Sequence, residues 1–266
     1  MLNHLQLYLK MKKLLTSILS IAAIACSMQV LAQEEEGGFE FGASLDYQTR
    51  YLWRGSVSCN GNMQADVNAS FGGFFADIWG ITDFKKGSYS EIDITLGYSY
   101  SAFSLSLTDY CWTSESFDET TFESKSEFKY FDKYKETHYL ELGLGVDFSE
   151  WVENLGLTFS ANTMIAGASR NFEDDKCTFS TFLGLDYEYG LLDDALTLGA
   201  GVGSSIENSG DWNFYSEDGF KVIDLHLNAG YDFSINDMFS IGLNAMFMYN
   251  PVDDKPYVNA GVGVSF

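Results

Sequence analysis

The chain has little proline, little cysteine and little positive charge, and beyond its first segment it has no long run of apolar residues. Its 266 residues include two prolines, Pro251 and Pro256, both in one stretch between two alternating segments. Nothing elsewhere forbids ladder hydrogen bonding, so the chain can be strand almost throughout. Of four cysteines, Cys26 lies in the N-terminal segment, leaving Cys59, Cys111 and Cys177. That odd, sparse set makes no disulfide framework and matches no metal-ligand spacing, so the three read as free thiols or as one incidental bridge. Fifteen basic residues against 38 acidic ones leave a formal charge of −23, which argues against a nucleic-acid partner. After residue 32 no apolar stretch approaches the ~18 residues a membrane helix needs. If the chain enters a membrane, it must do so as a closed barrel.

The first segment has the layout of an export signal. Lys10, Lys12 and Lys13 precede an apolar run from Leu14 to Ala25, and Val30-Leu31-Ala32 offers small residues where signal peptidase cuts. The expected division is a signal peptide over 1–32 cleaved before Gln33, a short acidic tail over 33–38, and one barrel domain over 39–266. Met11-Lys12-Lys13 reads as the natural start. Lipoprotein processing at Cys26 is the alternative, since Ala23-Ile24-Ala25-Cys26 has the form of a lipobox without its usual leucine. Cleavage before Gln33 removes three of the fifteen basic residues and no acid, moving the formal charge from −23 to −26.

What the chain does have is glycine, at 25 residues, aromatics, at 16%, and period-two alternation from Phe39 onward. From Glu91 to Tyr100, Ile92, Ile94, Leu96, Tyr98 and Tyr100 share one face, and acids, hydroxyls and glycine share the other. Leu196–Glu207, Ile223–Phe233 and Val258–Phe266 repeat the pattern. Alternation alone does not decide which face points inward, because a soluble sandwich has the same period. Three features favour a membrane barrel. The polar face is built of Gly, Ser, Thr, Asn and acids but nearly lacks the lysines a soluble sheet shows to water. Aromatic residues, among them Tyr51, Trp53, Tyr98, Tyr100, Tyr187, Tyr189, Tyr231, Phe233 and Phe266, fall at strand ends on the expected apolar face, as in the girdles of outer-membrane barrels.

The third feature is loop sorting along twelve strands: Phe39–Arg54, Met63–Gly72, Phe74–Asp83, Glu91–Tyr100, Phe103–Trp112, Tyr139–Ser149, Leu155–Ser169, Thr178–Tyr189, Leu196–Glu207, Ile223–Phe233, Phe239–Tyr249 and Tyr257–Phe266. Five short turns alternate with six longer loops at Gly55–Asn62, Phe84–Ser90, Thr113–His138, Arg170–Cys177, Asn208–Phe220 and Asn250–Pro256. Two strands are untidy. Phe74–Asp83 is apolar on both faces, and Asp109 interrupts an otherwise apolar stripe.

The first hairpins resemble a known family. Arg50-Tyr51-Leu52-Trp53-Arg54-Gly55-Ser56, Gln64-Ala65-Asp66, Gly73-Phe74-Phe75-Ala76-Asp77-Ile78-Trp79-Gly80, and Glu91-Ile92-Asp93-Ile94 with Gly97-Tyr98 are similar to the TorF family of porins. The similarity runs mainly from Tyr47 to Trp112, with a weaker echo at Tyr139–Gly143. It departs at Asp77, where glycine is usual, and in lacking a proline before Gln64. The resemblance implies a bacterial outer-membrane barrel with a channel role.

Candidate chemistry sits on the expected lumen face. Arg50 and Arg54 alternate with Tyr51 and Trp53, which predicts both guanidinium groups near the outer mouth. They read either as a constriction or anion contact, or as partners of lumen acids such as Asp46 or Asp66. Glu91, Asp93, Glu141, Asp186 and Asp224 join Asp46 and Asp66 on that face. His226 stands two residues from Asp224, a spacing that mimics a base and its orienting carboxylate, but no serine motif or second aspartate pair accompanies it. The long segment Thr113–His138 has three readings: an inward constriction, an outward extension of its flanking strands, or a grip for a surface partner.

These observations predict an all-β fold, an antiparallel up-and-down transmembrane β-barrel of about twelve strands with both termini periplasmic. The expected function is a porin-like channel for passive diffusion of ions or small polar solutes, weakly cation-preferring, in the outer membrane of a Gram-negative bacterium. The alternative is a non-conducting barrel acting as a surface scaffold or adhesion protein through its loops. No enzymatic activity, metal or cofactor is expected. The expected partners are outer-membrane lipid and lipopolysaccharide, the barrel-assembly machinery through Phe266, and the solutes themselves.

Overall fold

The computed structural model describes residues 38–266 apart from 85–88, 119–122, 129, 132–133, 172–173, 209–212 and 237, with backbone alone over 114–127. The expected signal segment and the acidic tail up to residue 37 lie outside the described residues. In chain order the elements are β1 (Phe39–Trp53), β2 (Ser56–Phe71), β3 (Phe74–Asp83), β4 (Ser90–Tyr100), β5 (Phe103–Trp112), β6 (Ser114–Asp118), β7 (Glu123–Glu127), the one-turn helix α1 (Tyr134–Thr137) and β8 (His138–Asp147). Then come β9 (Leu157–Gly167), β10 (Thr181–Leu191), β11 (Leu196–Glu207), β12 (Gly219–Asn236), β13 (Phe239–Asn250) and β14 (Lys255–Ser265).

All but β6 and β7 join one closed antiparallel barrel, each strand paired with its neighbours in the chain, β5 with β8 across the long insertion. Closure is made by β1 and β14, with Ser44 opposite Ser265 and Gln48 opposite Gly261. The backbone pair Ala43–Phe266 finishes that seam. A sheet closed in this way has no edge strand left to satisfy.

The wall is inverted relative to a soluble domain. Leu105, Leu144, Leu227, Leu243 and Val258 are all exposed, as are Phe74, Tyr98, Tyr189 and Phe233 near the short-turn rim. Gln48, Asn62, Glu91, Asp93, Glu141 and Asp224 are buried instead. A chain folding in water would gain roughly 25 cal/mol for each Å² of apolar surface it hid. Here that surface forms a continuous outer band, the arrangement that a hydrocarbon solvent stabilises. The ambiguous strand β3 obeys the same rule: Phe74 and Ile78 lie on the exposed face, and Phe75, Asp77 and Trp79 lie on the inner one.

Inside the wall, glycine makes room for polar side chains leaning from adjacent strands. A Cβ at Gly201 on β11 would stand 2.2 Å from Asp186 Oδ1 and 2.4 Å from His226 Nε2, so the slot between β10 and β12 exists only because the residue has no side chain.

Two expectations need correction. The loop expected over Gly55–Asn62 is absent, because β2 starts at Ser56 and the hairpin closes on Arg54-Gly55 alone. Both turn residues have positive φ, 46° and 82°, as a primed two-residue turn requires. A bulge at Tyr51/Leu52 breaks the alternation that would have marked Ser56–Asn62 as strand. The insertion Thr113–His138 does not prolong β5 and β8. Strands β6 and β7 pair only with each other, Ser114 opposite Glu127 and Asp118 opposite Glu123. The chain then returns along the outside of β5, where His138 Nδ1 lies 2.9 Å from Asp109 Oδ2 and the Tyr130 hydroxyl donates to the same oxygen at 3.2 Å. The acid that interrupts the apolar stripe is therefore paired through Oδ2, while its Oδ1 is buried without a hydrogen-bond partner.

Leu142→Arg, in the middle of β8 on the oily face, is expected to destabilise the barrel refolded into lipid vesicles by about 2–4 kcal/mol in urea titrations. A change near zero would place that face in water.

Candidate functional site at the long-loop mouth

The described turns and loops sort to two rims, and the lumen differs between them. Near the short-turn rim Glu40, Glu188 and Asp232 are exposed. Toward the other rim the inner side chains are packed and buried. The cause is the β1–β2 hairpin, which leans inward across its own mouth. Up to Gln48 the even residues of β1 face the lumen, with Asp46 and Gln48 lying over Gly263 and Gly261. By Tyr51 the facing has switched, because the ring of Tyr51 lies 5.3 Å from that of Trp79 on the inner face of β3. The switch occurs where Gly61 of β2 has φ 50° and the Asn259 side chain takes the Arg50 N–H at 2.9 Å. Tyr51 and Trp53, expected in the outer girdle, are interior rings. Arg50, expected in the lumen, takes the opposite face from Tyr51.

The tip of the hairpin is seated on β13 and β12, two and three strands round from β1. Gly55 O accepts from Asn250 Nδ2 at 3.0 Å. A Cβ at Gly55 would fall 2.2 Å from Ile223 O, so no larger residue fits that contact. From this seat Arg54 extends across the lumen to Glu141 on β8, four strands round from β2 in one direction and seven round from β1 in the other. The guanidinium forks onto the carboxylate, Nη2 to Oε1 at 2.9 Å and Nη1 to Oε2. Its side chain is 12% exposed and that of Glu141 3%. Such planar, bidentate pairing is what distinguishes arginine from lysine here.

Other groups complete the pair. Tyr110 donates to Glu141 Oε1 at 2.8 Å, and Arg54 Nη1 also donates to the Tyr215 hydroxyl. The guanidinium carbon stands 4.7 Å from the ring centres of both Trp53 and Phe182. Tyr215 belongs to the segment after β11, and Glu207 anchors that segment inward. Glu207 is fully buried, accepts from the Tyr215 N–H at 2.7 Å and is held by the Ser180 hydroxyl at 2.6 Å. Burial pushes the Tyr215 phenol well up, and so keeps it a neutral hydrogen-bonding group.

The remaining candidates form separate groups. His226 bridges two acids, Nδ1 3.0 Å from Asp224 and Nε2 3.1 Å from Asp186, so both ring nitrogens are engaged by carboxylates. Glu91 accepts from the Tyr89 hydroxyl at 2.6 Å, and Asp93 lies beside it, buried. Asp46 accepts from Ser44 at 3.0 Å and Asp66 from Asn68 at 2.7 Å. Of the two readings of Arg54, the structure shows pairing with a lumen acid, and that acid is Glu141 rather than Asp46 or Asp66. Among the described residues no group of three or more His, Cys, Asp or Glu side chains is arranged to hold a metal ion.

Sequence reasoning missed Tyr110, Phe182 and Tyr215. Tyr110 shares its alternation face with Ser104, Ser106 and Thr108, which marks it as interior. Tyr215 lies in a segment without periodicity and gives no such signal.

No family model matches the chain, and no curated protein matches it. Among solved structures, a KdgM porin is 10% identical, with 85% of this chain and 98% of that one covered at a TM-score of 0.46. An outer membrane channel from Pseudomonas putida F1 is 9% identical, with 87% and 96% covered at 0.44. The translocator domain of the autotransporter NalP from Neisseria meningitidis is 12% identical, with 93% and 94% covered at 0.37. The likeness is one of fold.

Arg54→Ala is expected to destabilise the detergent-folded barrel by about 3–5 kcal/mol, because it strands the Glu141 carboxylate. Arg54→Met with Glu141→Leu should recover most of that loss. Equal destabilisation in the single and double variants, measured by urea unfolding, would show that the pair itself carries none of it.

Proposed function

We propose that this chain is an outer-membrane channel for passive diffusion of ions and small polar solutes, narrowed at its long-loop mouth by the β1–β2 hairpin. The observation that carries the reading is the inverted wall: exposed leucines and valines outside, carboxylates, amides, hydroxyls and glycine inside. Lipid covers the first set and water fills the space beside the second. The resemblance of Tyr47–Trp112 to the TorF porins accords with it.

The interior acids supply a modest selectivity. One carboxylate ~10 Å from a monovalent ion in water contributes about 0.4 kcal/mol before screening over ~8–10 Å. Glu40, Glu188 and Asp232 line the accessible part of the lumen, while Arg54 is neutralised by Glu141. The wet lumen is therefore net negative, and the channel prefers cations weakly.

Liposome swelling tests the reading. Wild type is expected to admit small polar solutes slowly, and Arg54→Ser with Glu141→Gln, which unlatches the hairpin, is expected to admit them faster. No permeation by either protein rejects the channel. In planar bilayers a salt gradient should give a reversal potential of cation-preferring sign, and the opposite sign would discard the selectivity.

A further inference from the structure

A cleft of about 300 Å³ opens beside the seated hairpin tip. Its rings come from four parts of the chain: Tyr51 and Trp53 on β1, Tyr89 before β4, Trp112 at the end of β5, and Phe214 with Tyr215 after β11. Ser56 and Ser58 of β2 add hydroxyls, and Glu91 adds a carboxylate. This volume is at the small end of ligand sites, which combine apolar and aromatic walls with a few placed polar groups.

Two of the three charged groups that line the cleft are ion-paired, and the third, Glu91, holds a hydroxyl. Arg54 is forked onto Glu141, Glu91 holds the Tyr89 hydroxyl, and Asp253 has Lys255 at 3.6 Å. An anion would lose its hydration here and meet the Glu91 and Asp253 carboxylates, while a cation would have only the buried Glu91 carboxylate, already hydrogen-bonded to Tyr89, to offset its own desolvation. A neutral ligand with one apolar face and a rim of hydroxyls loses less. Its apolar face can lie on a ring, and its hydroxyls can exchange hydrogen bonds with Ser56, Ser58 and the free lone pairs of the Tyr89 and Glu91 oxygens. That description fits a pyranose.

We infer that the mouth cleft is a binding site for a neutral mono- or disaccharide, entered from the long-loop side. The inference rests on reading this mouth as the solute entrance and adds the class of solute that it holds.

The test is tryptophan fluorescence of the detergent-folded protein, since Trp53 and Trp112 line the cleft. Titration with maltose is expected to give a saturable change in the millimolar range. Sodium gluconate and tetramethylammonium chloride are expected to give none. Trp112→Leu should weaken the response about fivefold, the loss of one aromatic contact. Ser58→Leu, which fills the cleft from β2, should abolish it even if Trp112→Leu does not fold. Trp151→Phe, on the opposite rim, should leave maltose affinity unchanged. A wild-type protein that conducts but shows no saturable maltose response overturns the site and leaves the channel standing. A response as large for either charged probe, or one unchanged by Ser58→Leu, also overturns it. Saturable binding by a barrel that does not conduct upholds the site and removes the channel.

Discussion

A wall one sheet thick with apolar side chains on its outer face cannot leave backbone groups unpaired there, because hydrocarbon offers no hydrogen bonds in exchange. The seam between β1 and β14 is therefore the interaction on which the rest of this protein depends. Once the sheet is closed, every strand has a fixed inside and outside, and a one-residue slip would exchange them along its whole length. The glycines of the inner face belong to the same logic. Where neighbouring strands send long polar side chains into one space, the strand between them must give up its own.

The hairpin between β1 and β2 departs from this regularity, and the departure has an identifiable local cause. A glycine in left-handed conformation on β2 and a side-chain amide bound to the backbone mark where β1 turns before Tyr51, and a bulge follows between Tyr51 and Leu52. Tyr51 and Trp53 then face into the barrel and provide apolar surface on which the tip rests. Arg54 can be carried into a desolvated position only because Glu141, Tyr110 and Tyr215 meet its donors there. A buried ion pair of this kind contributes little net stability, but it specifies one arrangement of the groups it joins.

Most of the barrel was legible in the sequence because each strand repeats a two-residue signal. The strand number, the closed antiparallel class and the oily outer face all follow from that repetition. Legibility failed where the period fails. Residues 56–62 look like a loop because the bulge shifts their phase, and Tyr51 and Trp53 look like a girdle because the rotation preceding them leaves no mark in composition. Glu141 was recognisable as an interior acid. Its pairing with Arg54 was not, since the two residues are 87 positions apart and meet only after the barrel closes. Tyr215 is the extreme case, a residue in an aperiodic segment whose place is set by Glu207.

The covered acid on the outer face bears on how the barrel gets into a bilayer. Asp109 sits on β5 and its partner His138 begins β8, so the two become neighbours only when those strands pair. Moving β5 alone through the hydrocarbon would carry a bare carboxylate, whereas a preformed β5–β8 pair carries it already matched to an imidazole. Insertion is thus easier for the pair of strands as a block than for either singly.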